Sequence, residues 1–216
     1  MRTVLTAFIC AAFLFACKGP AGEKAKVTDA QDIENTTASS TYQINTASSE
    51  VTWQGFKPGD SHNGTIKLTS GSINMDGESI VGGEFVIDMS TITATDADLD
   101  EEGNTKLTGH LRSADFFHVD SLGTSMFEIT KVVELKDSDL GSHSVYGNLT
   151  MNGITKNVQF PANIACVDNT CTTMAEFNID RTNWGIEFMS KKILGELADR
   201  FVNDEITIGL NIVSSK

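Results

Sequence analysis

Beyond residue 41, apolar and polar residues alternate in short runs separated by turn signals, as half-buried antiparallel strands require. The last run is the clearest. Ile206, Ile208, Leu210 and Ile212 share one face, while Thr207, Gly209 and Asn211 take the other. The same reading predicts strands over residues 51–56, 65–68, 84–89, 126–133, 145–151, 155–164 and 172–179. Asn152-Gly153 falls between two of them, and because both residues tolerate positive φ, a tight hairpin is expected there. The pattern as a whole predicts an all-β fold, a single antiparallel barrel of about eight strands, enough to close around a filled core or one small ligand. One stretch departs from it. Between residues 105 and 117, Leu107, Leu111 and Ala114 recur at helical spacing, which predicts a short helix inserted between strands.

The N-terminus carries a different pattern. Arg2 precedes an apolar run over residues 4–16, too short to span a bilayer and suited to the core of a signal peptide covering residues 1–16. Its end, Leu14-Phe15-Ala16-Cys17, resembles a bacterial lipobox, so Cys17 is expected to carry the lipid anchor; an ordinary secretory signal is the alternative. Residues 17–40 are small, charged or hydroxylated, with almost no large apolar side chain, and read as a flexible tether. Residues 41–216 then form the domain. Charge narrows the partners: 16 Lys+Arg against 29 Asp+Glu gives −13, a field that repels polyanions, so nucleic acid is not an expected partner.

Of the four cysteines, Cys10 lies in the signal and Cys17 at the anchor. Cys166 and Cys171 flank a polar loop between two predicted strands. In an oxidising compartment they suit a disulfide across a hairpin, with a pair of free thiols as the alternative. Metal chemistry finds little support. Asp96, Asp98 and Asp100 begin like a calcium loop, but Glu101 stands where glycine is needed and Leu107 where a bidentate Glu belongs. The four histidines show no metal-ligand spacing, and no nucleophile elbow, phosphate loop or dinucleotide fingerprint is present, so no enzyme activity and no cofactor are expected.

Two segments carry a resemblance to a known family. Lys106-Leu107-Thr108-Gly109-His110-Leu111-Arg112-Ser113-Ala114-Asp115-Phe116-Phe117 resembles the helix and following Phe pair of the YceI-like lipid- and polyisoprenoid-binding proteins. Val145-Tyr146-Gly147-Asn148-Leu149-Thr150-Met151-Asn152-Gly153-Ile154-Thr155-Lys156-Asn157-Val158 is similar to their hairpin, although Asn157 replaces a common proline. Weaker matches around His62, Ser90, Arg181 and Trp184 follow in family order. The resemblance implies a lipocalin-like barrel in the periplasm or at the cell surface, with a polyisoprenoid, quinone or similar lipid inside and no catalysis; the lipobox at Cys17 adds the expectation of an outer-membrane anchor.

A ligand tail without polar groups is held only by apolar surface removed from water. The inward positions of the predicted strands are the candidate wall: Val51, Trp53, Phe85, Ile87, Phe127 and Ile129, then Leu149, Val158, Phe160 and Phe177, then Ile206, Ile208 and Leu210. For each, the alternative is ordinary core. Two adjacent aromatics on a helix or turn are not expected both to point inward, so one of Phe116 and Phe117 is expected to line the cavity or shut it, with a purely structural wedge as the alternative. A polar head group would find donors in His110, Arg112 and Arg181, with Asn152 and Trp184 beside them. Arg112 equally suits an ion pair with Asp115, and Arg181 one near Asp180. The competing function is an envelope interaction lipoprotein with a filled barrel and no small-molecule ligand.

Overall fold

The computed structural model describes residues 20, 22–33, 37–195 and 201–216. Three short strands come first: β1 (Glu23–Lys24), β2 (Lys26–Asp29) and β3 (Ser40–Ile44). Eight longer ones follow: β4 (Glu50–Lys57), β5 (Asp60–Asp76), β6 (Ser79–Ala94), β7 (Thr124–Glu134), β8 (His143–Met151), β9 (Ile154–Val167), β10 (Thr170–Asp180) and β11 (Glu205–Ser215). From β4 to β11 each strand pairs antiparallel with the next, and β11 returns to β4 through Ile208↔Trp53 and Leu210↔Val51, closing the barrel. The expected architecture holds. The signal segment and Cys17 lie outside the described residues.

The turns follow the sequence chemistry. Asn152 and Gly153 join β8 to β9 with φ of 51° and 75°, and Asp168 and Asn169 join β9 to β10 with φ of 48° and 62°, the sense that continues strand twist. Across the second turn Cys166 and Cys171 form a disulfide, with Cα atoms 4.1 Å apart.

Strands β5 and β6 are much longer than their predicted cores. Their distal halves are rich in Gly and Ser, which read as turns but serve close approach: a Cβ on Gly83 would stand 2.5 Å from the Ser72 carbonyl oxygen. A register shift between Leu68 and Ser70 also moves the buried positions from Ile66 and Leu68 to Ile73 and Met75, which breaks the period of two.

Helix α1 runs Glu101–Arg112, earlier than predicted. Asp100 caps it by accepting from the Gly103 amide at 2.7 Å, and Glu101 and Glu102 sit in the positive first turn. The acidic segment is thus largely a helix start, and Phe116 and Phe117 fall in the turns beyond the helix. After β10 come a 3-10 turn (Arg181–Trp184) and the one-turn helix α2 (Lys191–Leu194).

The expected tether is not free throughout. β1 pairs parallel with β10 at Phe177 and Asn178, and β2 pairs antiparallel with β9 from Lys156 to Gln159. Backbone hydrogen bonds hold this segment rather than a large apolar face: Ala25 is buried, while β1 and β2 are otherwise mostly exposed. Low hydrophobicity therefore did not prevent order, because an open strand edge was waiting.

Removing the disulfide with Cys166→Ser and Cys171→Ser is expected to cost about 2 kcal/mol, the closure entropy of so short a loop. Urea unfolding of the two forms measures it, and an unchanged midpoint would contradict it.

Candidate ligand-binding cavity

The barrel encloses a cavity of about 330 Å³. It runs from Ile73, Ile80 and Val132 at one end to Leu107, Leu111 and Phe117 at the other. Every candidate wall residue named from the sequence lines it, from Val51 and Trp53 on β4 to Leu210 on β11. Those side chains stand on the wall without filling the middle, so a packed core does not describe this interior.

A row of aromatic rings crosses one side. Phe85 and Phe127 stand 6.1 Å apart, Phe127 and Phe160 5.8 Å, and Phe160 and Phe177 stack at 4.1 Å. The Phe127 ring lies over Gly147 on β8, where a Cβ would be 2.2 Å from Cζ. Trp53 lies over Gly64 in the same way, with 2.6 Å to Cζ2. Glycine at these two places lets bulky rings lie flat on the wall, where upright rings would occupy the lumen.

The α1 end is covered. Phe116 packs against His110 at 5.0 Å and Phe188 at 5.2 Å, and His110 meets Phe188 edge-on at 4.8 Å. Phe116 and Phe117 both reach the cavity, contrary to the expectation for adjacent residues. The turns that carry them do not impose helical rotation between neighbours. Phe188, with Ile186 and Val202, comes from the loops around α2, and no periodicity in the sequence marked these residues.

Polar candidates divide. His110 lines the cavity, but its Nε2 is bonded to Asp115 at 3.0 Å. Arg112 does not line it, nor does it pair with Asp115: its Nη2 donates to the Ile92 carbonyl at 2.9 Å and so fastens α1 to β6. Arg181 reaches the lining but donates to the carbonyls of Asn203, Ile186, Phe188 and Val202, with Asp204 at 3.7 Å. Burial pulls its pKa down, and Asp204 and Asp180 oppose that shift. Trp184 is fully buried outside the lining. Its indole N–H donates to the Leu149 carbonyl at 3.0 Å, and Asn152 donates to the Trp184 carbonyl, so the pair binds the β8–β9 hairpin to the 3-10 turn.

The sequence reading assigned no role to His62, which lines the cavity beside this end. Its Nδ1 lies 2.6 Å from Oδ2 of Asp96, a carboxylate that is 4% exposed. The hydrogen bond from His62, helped by the Asp98 amide, holds the Asp96 pKa below the usual carboxylate range. These residues lie 34 positions apart, so only the fold joins them. Two more polar atoms of lining residues, Trp53 Nε1 and Ser125 Oγ, are buried without a protein partner among the described residues. No cluster able to hold a metal ion occurs among the described residues.

The profile of the YceI-like domain matches residues 42–214. The chain therefore belongs to the YceI-like family. A UPF0312 protein of Ectopseudomonas mendocina (strain ymp) is 30% identical over 99 residues, 46% of this chain; the match spans about half of that relative, 47% of its length. Among solved structures, BcnA of Burkholderia cenocepacia aligns with a TM-score of 0.62 at 18% identity, covering 79% of this chain and 98% of that one. A polyisoprenoid-binding domain of Saccharophagus degradans, described as implicated in plant cell wall breakdown, aligns with a TM-score of 0.58 at 12% identity, covering 81% and 97%. At these identities the likeness establishes the fold.

Gly147→Ala should push the Phe127 ring off the wall and destabilise the barrel by about 1–3 kcal/mol. Thermal unfolding checks it, and an unchanged Tm would mean the ring has another resting place.

Proposed function

We propose that this protein binds and carries a long apolar chain, a polyisoprenoid, isoprenoid quinone or similar lipid, inside its barrel in the bacterial cell envelope. The observation that carries the reading is the cavity of about 330 Å³ with its apolar wall drawn from every barrel strand. Such a wall offers no directional recognition to a tail and needs none. At about 25 cal/mol per Å², burying a few hundred Å² of chain offsets the cost of immobilising it. The family and the polyisoprenoid-binding neighbour support the same ligand class. Binding rather than catalysis is the activity of this site.

Lipidation at Cys17 after removal of residues 1–16 would keep the carrier at the outer membrane, on its periplasmic or surface side. Each buried methylene of the anchor contributes about 0.8 kcal/mol, so two or more acyl chains make desorption slow. The segment ahead of Gly22 is short, which would hold the barrel close to the bilayer that supplies its ligand.

Native mass spectrometry of the purified protein, followed by solvent extraction, tests the reading. A bound isoprenoid or quinone, or uptake of added long-chain prenols by the stripped protein, is the expected result. A ligand-free protein that refuses them would overturn it in favour of an envelope interaction protein.

A further inference from the structure

We infer that the α1 end of the cavity is a subsite for a hydroxyl group on the end of the apolar chain, read by His62 and Trp53. The inference rests on the carrier reading and adds the chemistry of the ligand's polar end. Asp96 is built into its place: its amide donates to Asn104 Oδ1, and Asn104 Nδ2 donates to the Asp96 carbonyl, both at 2.9 Å, so α1 itself clamps the residue. Its Oδ1 accepts from the Asp98 amide at 2.9 Å and its Oδ2 faces His62 Nδ1. With both carboxylate oxygens accepting, the neutral imidazole carries its proton on Nδ1, and Nε2 is left as an acceptor. Among the described residues His62 makes no hydrogen bond through Nε2.

A donor stands beside it. Trp53 pairs with Gly64, two positions along β5 from His62, so the two side chains are diagonal neighbours on the inner face, about 7 Å apart at Cβ. Its buried Nε1–H has no protein partner. Both residues line the cavity, and the Trp53 N–H is covered in the empty barrel, so a single hydroxyl entering between them satisfies both once the indole edge turns toward it, donating to His62 and accepting from Trp53. A prenol or a quinol has that group. A hydrocarbon satisfies neither residue, and an ether only Trp53.

The test compares geranylgeraniol, its methyl ether and squalene by calorimetry, at a pH about two units above the ordinary histidine value. Wild type should bind the alcohol about tenfold more tightly than the ether, the worth of one hydrogen bond made away from water. His62→Phe should abolish that preference. Asp96→Asn is the second variant. The Asp98 amide requires the Asn oxygen at Oδ1, so its amide nitrogen faces His62 and moves the ring proton to Nε2; the ether should then gain and the preference collapse. Equal binding of alcohol and ether by wild type, or an unchanged ratio in Asp96→Asn, overturns this subsite alone. Loss of squalene as well in wild type overturns the carrier reading and this one with it.

The opposite wall carries a separate inference. β9 and β10 pair only between 163–167 and 170–174, then part, and residues 22–29 fill the fork. Ala25 donates its amide to the Asn178 carbonyl at 2.8 Å, and Asn178 Nδ2 donates to the Gly22 carbonyl. Ion pairs Lys24–Glu205 and Asp29–Lys156 pin either end. Behind the segment, Phe160 and Phe177 of the cavity wall stack across the gap. We propose that this segment is a removable stave, and that its displacement opens a lateral slit for the apolar chain. Few buried side chains hold it, which makes it the low-stability part of the wall, while the α1 end is roofed by aromatic rings.

Lys26 and Gln159 are cross-strand partners and neither lines the cavity, so Lys26→Cys with Gln159→Cys can lock the stave by a disulfide. Stopped-flow uptake of geranylgeraniol should slow about tenfold or more in the oxidised variant, with equilibrium affinity unchanged. Reduction should restore the rate, with reduced wild type as reference because Cys166–Cys171 opens too. Equal rates in the locked and reduced variant overturn the slit.

Discussion

Pairing of β11 with β4 is the contact on which the remaining structure depends. Without it the eight strands are bridged only at one rim, where β3 joins β5 to β11, and the rest of the apolar face stands open to water; with it, every inward side chain faces another across a closed lumen. The register is equally consequential. Ile208 opposite Trp53 and Leu210 opposite Val51 put apolar residues of both strands on the same inner face, and a slip of one residue would send Thr207 and Gly209 inward instead.

Closure creates the lumen, and glycine keeps it open. The largest rings lie against Gly64 and Gly147, so they coat the wall without meeting at the axis. The interior departs from the close packing of an ordinary core because bulk is placed on the wall. The ends differ in kind. One is roofed by His110, Phe116 and Phe188, with α1 held down through Arg112 to the Ile92 carbonyl. The other is gathered by β3, which pairs with both β5 and β11. Arg181, committed to four carbonyls, ties the loops around α2 to the barrel and so positions Phe188 in the roof.

The barrel was legible because its signal is local. Alternation marked the cores of the strands and the inward set, Asn152-Gly153 marked a hairpin, and the spacing of Cys166 and Cys171 allowed the disulfide. What escaped depends on contacts distant in sequence. The Gly- and Ser-rich halves of β5 and β6 look like turns until Ser72 and Glu84 are seen passing within reach of Gly83 and Gly71. Residues 22–29 look too polar to order, because a strand edge offered by β9 and β10 leaves no trace near them. His62 and Asp96 are unremarkable singly and become a pair only through the fold. Arg112 and Trp184 were plausible ligand contacts by residue type, yet both are spent on backbone carbonyls.

The central claim is that the barrel surrounds unfilled apolar space. Diffraction from crystals of the stripped protein under xenon pressure tests it directly, since xenon enters dry apolar cavities and finds no place in a packed core. The account predicts xenon within the barrel, against Phe127, Ile129 and Phe160. A barrel interior without xenon, closed by its own side chains, would contradict it.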